Sequence, residues 1–329
     1  MYAIAIDNDK TLTWCEQPSP GPLEHNEVRI RVAWAGMNRA DSGQRAGNYP
    51  PPPGASDILG LEVSGTIAET GSSVSQLETG QKVCALLAGG GYAEEVVVDQ
   101  RQIMPIPEGL GLRESAALPE MFATAWLNLF MEGGLDHAES KGERVLLHAG
   151  ASSVGSTAVQ LCRTFGYPCF VTVGSDEKIE RCKALGAEAG WNRHDGSFVE
   201  AVKEWGGGVD VILDPVGADY LADNQKVLNA DGRLVLIAIL SGRSAELDLG
   251  RMLMKRQRLI GSTLRSKSPQ AKGAILDELQ KYVWPHLSNG DLQPLIDSEY
   301  SIQEAQKAME HMENNSNVGK ILLSVAAED

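Results

Sequence analysis

The sequence contains no C-x-x-C, and its five cysteines (Cys15, Cys84, Cys162, Cys169, Cys182) are odd in number and widely spread. That excludes a disulfide framework and points to a reducing compartment. Among the six histidines (His25, His137, His148, His194, His286, His311) there is no H-x-x-x-H and no cysteine partner close by, so no metal site is expected. No G-x-S-x-G turn marks a nucleophilic serine either. Basic charge is scarce: 29 Lys and Arg stand against 44 Asp and Glu, for a net charge of −15 and a pI near 4.9. A field of that sign repels nucleic acid and anionic membrane surfaces, so neither is expected as a partner. The longest purely apolar run, Leu234 to Leu240, is far short of the ~20 residues that span a bilayer. The opening M-Y-A-I-A-I-D-N-D-K lacks the basic start and long apolar core of a signal peptide, and a cytoplasmic location is expected.

What is present is ordinary globular material. The 329 residues are 43% hydrophobic and 22% charged, enough for two domains with cores of their own. Short β-like stretches fill the first third: Val28–Ala33, Val63–Ile67, Lys82–Leu87 and Glu94–Val98, punctuated by Gly, Pro and Asn. Pro50 to Pro53 form a rigid extended loop. From about Leu118 the texture changes. Met121–Phe130, Gly155–Phe165, Asp176–Leu185 and Tyr220–Leu228 read as helices, alternating with strands at Arg144–Leu147, Phe170–Val173, Val209–Leu213 and Leu234–Ile239. That alternation marks βαβ units around a parallel sheet. Two further helices follow Arg265, the second opened by a capping box, Ser301-Ile-Gln-Glu304, before a closing strand at Val318–Val325.

The strand R-V-L-L runs into His148-Ala-Gly-Ala-Ser-Ser-Val-Gly155 and then a helix. A small-residue turn there lets the backbone approach a pyrophosphate, which the helix N-terminus favours through its unpaired N–H groups and dipole. Ser152, Ser153, Val154 and Gly155 are the cofactor-binding turn. It departs from G-x-G-x-x-G by its two serines, and Ser153 is the candidate to donate to the pyrophosphate. An NAD enzyme places an acid on the ribose about 20 residues further on. Here the second strand ends V-T-V-Gly174-Ser175, with Lys178 in the first turn of the next helix. A missing acid beside a cation favours a 2′-phosphate, hence NADPH. Asp176 and Glu177 either point away or weaken that site. His148, at a strand end, reads as packed rather than catalytic, and the cysteines as small hydrophobes. The chemistry then comes from the cofactor.

Several stretches resemble zinc-free quinone oxidoreductases of the medium-chain dehydrogenase/reductase superfamily. They are Ala33 to Gly65, Gly142 to Arg163, L-P-E-M-F-A-T-A-W, V-T-V-G-S-D-E-K, I-L-D-P-V-G and R-L-I-G-S-T-L-R. The branch they most resemble is the p53-inducible quinone oxidoreductase type. The likeness implies an α/β protein with a GroES-like β-barrel catalytic domain (1–119 and 266–329) and a doubly wound, parallel-sheet Rossmann NADPH-binding domain (120–265). Zinc-dependent relatives carry a cysteine near Asn38 and G-H-E near Leu61, where this chain reads Gly60-Leu61-Glu62. By the same likeness Asn38 and Tyr49 face the substrate, Asp41 holds that loop, and Thr124 takes the nicotinamide carboxamide. Ile239, Leu240 and Leu264 would line the ring pocket, and Ser175, Lys178 and Arg193 would take the 2′-phosphate. Val216 and Gly217 would lie by the adenine side, and Asn317 would reach back across the cleft.

The reaction so implied is NADPH-dependent reduction of a small-molecule quinone, with Asn38 and Tyr49 donating to the carbonyl oxygen that gains charge. Two other readings stay open: an enal or enone C=C reductase, and a non-catalytic NADPH-binding structural or RNA-binding protein. The negative charge and the absence of basic patches interleaved with aromatics count against the last. A homodimer is implied by resemblance, paired through Leu247–Leu264 with Met252 and Met254.

Overall fold

The structure is a computed structural model that describes residues 1–326. The chain forms two compact units: Met1–Ala123 together with the segment from Leu264 onward, and Thr124–Thr263. In the first unit β1 (Tyr2–Ile6) and β2 (Leu12–Glu16) form a hairpin, and β3 (Glu27–Gly36) leads into helix α1 (Arg39–Ala46). Next come β4 (Glu62–Thr70), β5 (Lys82–Leu86), β6 (Glu95–Asp99), β7 (Ile103–Pro105), a single helical turn α2 (Leu112–Ser115) and α3 (Pro119–Trp126). The second unit runs β8 (Val145–His148), α4 (Ser153–Thr164), β9 (Cys169–Val173), α5 (Asp176–Leu185), β10 (Ala189–Asn192), α6 (Val199–Gly206), β11 (Val209–Asp214) and α7 (Ala218–Val227). It closes with β12 (Leu228–Leu236), α8 (Leu249–Lys255) and β13 (Arg258–Gly261). The chain then returns to the first unit as α9 (Pro269–Tyr282), α10 (Trp284–Ser288), β14 (Ile296–Ser301), α11 (Ala305–Glu313) and β15 (Lys320–Ser324).

The first unit is built on a seven-stranded sheet, β14-β15-β3-β4-β5-β7 with β6 also on β3, antiparallel except for the β14–β15 pair. The long β3 alternates in burial, and Val28, Ile30 and Val32 meet Leu59, Val63, Tyr92 and Ile321 in the core. This unit occupies the stretches where the GroES-like domain is expected. The second unit has six parallel strands in the order β10-β9-β8-β11-β12-β13, the doubly wound order that starts at its first strand and reverses beside it. Every residue of β8 and β9 is buried, as a strand covered on both faces requires. The order reverses between β8 and β11, and a doubly wound sheet takes its ligand outside the strand ends at that point.

Three expectations change on contact with packing. The helix read over Met121–Phe130 ends at Trp126 and continues as a π-helical turn, Leu127–Glu132. There the Asn128 side chain donates to the Thr124 carbonyl (2.7 Å), while the Asn128 carbonyl accepts from Gly133 N–H, five residues on. The strand read to Ile239 stops at Leu236, because residues 237–242 fold onto the loop after β11 through hydrogen bonds from Ile237 N to Asp214 O and from Ser241 N to Val216 O. The Ser301 box forms in one direction only. Glu304 accepts from the Ser301 N–H, but a 3-10 turn at Ile302–Glu304 intervenes before α11 and the serine side chain makes no cap. Among the described residues no helix is long and apolar enough to cross a membrane.

Candidate functional site

In the second unit, the turn after β8 is pressed against its neighbours on both sides. A Cβ on Gly150 would sit 2.7 Å from the Val171 side chain on β9, and one on Gly155 would sit 2.3 Å from the Ala149 carbonyl oxygen. Only glycine lets α4 begin this close to the strand end, which holds the cradle open to a ligand. Ser152 is the N-cap: its Oγ accepts from Gly155 N–H at 3.0 Å. Ser153 is the first helical residue, and its carbonyl accepts from the Ser156 and Thr157 hydroxyls. The two serines therefore have different tasks. One closes the helix end, and the first-turn N–H groups of Ser153 and Val154 lie beyond that cap, where an anion is favoured.

At the end of β9 the structure brings Arg193 over Gly174 beside Ser175, with Lys178 in the first turn of α5 and its charge acting on the Cys182 thiol. Ser175 caps α5 by accepting from Lys178 N–H at 3.3 Å. The Arg193 guanidinium, arriving from the end of β10, lies so close over Gly174 that a Cβ there would be 3.5 Å from its Nη2. The two acids that complicate this corner are occupied. Asp176 accepts from the Asn192 side chain at 3.1 Å, and Glu177 pairs with Arg181 at 3.1 Å, one turn along the helix.

Beneath the strand ends runs a buried polar chain. Asp214 on β11 accepts from the backbone N–H of Val216 (2.6 Å) and Gly217 (3.1 Å), so it shapes the turn there. Its other oxygen accepts from Asn224 Nδ2 at 2.9 Å, which leaves Asn224 Oδ1 facing His148 Nε2 at 2.7 Å. A carboxylate only accepts, so the sequence of donors is fixed: His148 carries its proton on Nε2, and Nδ1 accepts from the Thr172 hydroxyl at 2.8 Å. Burial pushes the imidazolium pKa below its usual 6.5, although Asp214 and the Asn224 bond oppose this. Gly217 has φ +89° and packs against the backbone of Ile239, and the exposed Ile239 and Leu240 lie on the loop that covers the turn. Val216, Gly217, Ile239 and Leu240 thus form one group.

In the first unit, Asn38 is the N-cap of α1, buried at 6% exposure, and its amide is engaged on every side. Nδ2 donates to Glu62 Oε1 (2.9 Å) and the Gly36 carbonyl (3.3 Å), and Oδ1 accepts from the Lys320 ammonium (2.7 Å). Glu62 and Lys320 are themselves fully buried and meet at 2.5 Å, and Glu62 Oε2 takes the Glu120 N–H at the start of α3. Asp41 accepts from Asn38 N–H, Gly60 N–H and the Tyr92 hydroxyl, and burial still lifts its carboxyl to about 6. Glu120 is lifted to about 7 by burial and by the negative Glu62 beside it. Tyr49, 37% exposed, lies with its ring under the Arg265 guanidinium at 5.2 Å. Burial raises the Tyr49 hydroxyl pKa, with Glu120 adding and Arg265 opposing. Thr124 lies in the second unit, half-buried on α3. Leu264 and Asn317 lie in the first: Leu264 is buried, and the Asn317 amide donates to the Gly319 carbonyl in its own loop.

Sequence reasoning did not assign to the site Glu62, Lys320, Glu120, Arg265 or Lys272, a buried lysine of α9 whose charge acts with Glu120. Lys320 and Lys272 are lysines at 0% and 2% exposure, the strongest signal of all once burial is seen, but in sequence each reads as an ordinary surface charge.

Two family models match the chain: the alcohol dehydrogenase GroES-like domain over residues 24–108 and zinc-binding dehydrogenase over residues 153–281. No group of three or more His, Cys, Asp or Glu able to hold a metal occurs among the described residues. Asn38 and Leu61 supply no zinc donor, and the oxygens near Asn38 already hold an ammonium, so the residues do not fit that metal. Among curated proteins, the chain is 30% identical over 315 residues to quinone oxidoreductase-like protein 2 of Bos taurus, covering 94% of this chain and 88% of that one. It is 29% identical to the quinone oxidoreductase of Rattus norvegicus, covering 92% and 90%. The solved quinone oxidoreductase of Thermus thermophilus, also determined in complex with NADPH, superposes with a TM-score of 0.80 at 29% identity, covering 99% of this chain and 100% of that one.

Removing one partner of the buried pair leaves the other charge without compensation. Lys320→Met is expected to cost about 3–5 kcal/mol in chemical denaturation, and Lys320→Met with Glu62→Leu to recover part of it. Equal stability of Lys320→Met and wild type would contradict this placement. His148 makes stability depend on pH. Below about pH 6.5 the unfolded chain takes up a proton that the folded chain refuses, so stability falls as pH drops through that value. Denaturation midpoints between pH 7.5 and 5.5 are expected to fall more steeply for wild type than for His148→Gln; parallel curves would show that His148 is not held neutral.

Proposed function

The chain belongs to the quinone oxidoreductase-like proteins of the medium-chain dehydrogenase/reductase superfamily, and on that premise we propose that it reduces quinones with NADPH and without a metal. The observation that carries the cofactor preference is the end of β9, where the Arg193 guanidinium lies over Gly174 while Asp176 is hydrogen-bonded to Asn192 and Glu177 is paired with Arg181. A corner so arranged favours the doubly charged 2′-phosphate over a bare ribose hydroxyl. The names of the relatives support a quinone as acceptor, and the finer placement, in the p53-inducible branch, rests on the motifs of residues 33–65.

In this reading the Ser152–Gly155 turn holds the pyrophosphate through backbone N–H groups, with the Ser153 hydroxyl as an additional donor. Ser175, Lys178 and Arg193 hold the 2′-phosphate. Val216 and Gly217 take the adenine side, Ile239, Leu240 and Leu264 the ring pocket, Thr124 the carboxamide, and Asn317 the far side. When bound, NADPH supplies a hydride, and with one proton from the protein or solvent the quinone becomes a hydroquinone. Tyr49 is the residue to donate to the acceptor oxygen as it gains charge. Asn38, with both amide functions engaged by Glu62, Gly36 and Lys320, acts by fixing the start of α1 and hence the loop that carries Tyr49. No strong general acid is required, because a hydroquinone anion is already a stable product. The assembly proposed is a homodimer paired through Leu247–Leu264 with Met252 and Met254, a stretch that includes the edge strand β13, with Leu259 exposed on it and Leu249, Leu253 and Met254 exposed on α8. A reducing, cytoplasmic setting suits the five free thiols.

Arg193→Ala is expected to weaken NADPH binding about tenfold or more while changing NADH binding by less than about twofold, read by quenching of protein fluorescence. Equal losses for the two coenzymes would move the 2′-phosphate elsewhere. Tyr49→Phe is expected to lower kcat/KM for a quinone by about tenfold or less, the worth of one hydrogen bond to a developing charge. Complete loss of turnover with NADPH binding intact would instead assign obligatory proton donation to Tyr49.

A further inference from the structure

Arg265 is a cation in an unusual setting. The residue is 4% exposed, yet every hydrogen bond its guanidinium makes goes to a neutral oxygen: Gln44 Oε1 (2.6 Å), the Ala88 carbonyl (2.8 Å) and the Tyr49 carbonyl (3.3 Å). Among the described residues no carboxylate is paired with it; Asp41 and Glu120 act on it only at longer range. One face of the guanidinium lies 5.2 Å from the centre of the Tyr49 ring. The edge of the group thus meets acceptors from α1, the loop that follows it and the segment at Ala88, and the face meets one phenol. Gln44, on α1, uses its amide nitrogen to hold the Asp57 carbonyl (2.7 Å), so the same cluster closes the loop from α1 to Asp57 in which Tyr49 sits.

Tying these segments together does not by itself call for a charge. A neutral side chain such as glutamine also donates to carbonyls, and burying a guanidinium with no carboxylate to balance it is costly. What the charge adds is directed at Tyr49. A planar cation against a ring face holds the ring in one orientation and, through the ring, favours a hydroxyl that gives up electron density to its hydrogen bond. The same positive potential favours negative charge on any atom that the hydroxyl touches.

We propose that Arg265 is a positioning residue for Tyr49: it grips the residue by its backbone carbonyl and its ring face together, and makes its hydroxyl a better donor to an acceptor that becomes negative. This rests on the reading that Tyr49 meets the acceptor oxygen. It assigns to Arg265 no contact with substrate.

Two measurements on the full chain separate this proposal from that reading. The first needs no turnover: ultraviolet difference titration, with the Tyr49 signal obtained by subtracting the Tyr49→Phe variant. In Arg265→Gln, which keeps donors but loses the charge, Tyr49 ionises at higher pH than in wild type, and in Arg265→Lys the midpoint moves less. The second is steady-state turnover of a quinone. Arg265→Gln lowers kcat about tenfold with the Kd for NADPH within about twofold, and in a Tyr49→Leu background the same change costs less than about twofold. A Tyr49 titration that does not move, or equal losses of kcat in the two backgrounds, overturns the proposal. If the wild type turns over no quinone, the proposed function falls, and the titration alone decides the role of Arg265.

Discussion

The first unit is organised around one ion pair, Glu62 with Lys320, buried to zero exposure and joining residues 258 positions apart in sequence. An ammonium in such a place is tolerable only when oxygens surround it, and here Glu62, Asn38 and the Met37 carbonyl do so. Those contacts have consequences at three places. Asn38 is fixed as the start of α1, Glu62 anchors the first turn of α3 through the Glu120 N–H, and β15 is tied to β4 across β3. Burial, with the negative charge of Glu62 adding to it, lifts the Glu120 carboxyl to about 7. Charge placement in the first unit thus fixes the start of α1, which leads into the loop that carries Tyr49.

The second unit solves a different electrostatic problem. A chain with a net charge of −15 must present a local positive surface if it is to hold a phosphorylated coenzyme. In the proposed reading Arg193, over Gly174 at the end of β9, supplies that charge. Asp176 turns to Asn192 and Glu177 to Arg181, while the helix ends at Ser152 and Ser175 add their dipoles. The buried chain from Thr172 through His148 and Asn224 to Asp214 fixes the floor of the same region, with each donor specified by its neighbour.

Much of this architecture was legible in the sequence, and the reason is local. The stretch from Arg144 through Gly155 to Phe165 writes strand, tight turn and helix in consecutive residues, and close packing at Gly150 and Gly155 leaves no other residue type room. His148 as a packed side chain follows from position as well, at a strand end beneath a turn. Strand β10, A-G-W-N, carries no apolar run and escaped notice because it depends on β9 for pairing rather than on its own composition. The termination of β12 at Leu236 was equally hidden, since the residues beyond it are apolar but bond to another loop. Glu62, Lys320 and Arg265 were invisible as site residues for a simpler reason: a charge has no periodicity, and nothing local distinguishes a buried lysine from a solvated one.

The central claim is that the end of β9 is cationic enough to select a coenzyme carrying a 2′-phosphate. Calorimetric titration of the full chain with NADPH and with NADH, each at low and at high salt, tests it directly. The account predicts tighter binding of NADPH and a gap between the two that narrows as salt screens the extra phosphate. Indistinguishable affinities at low salt, or a gap that salt leaves unchanged, would contradict it.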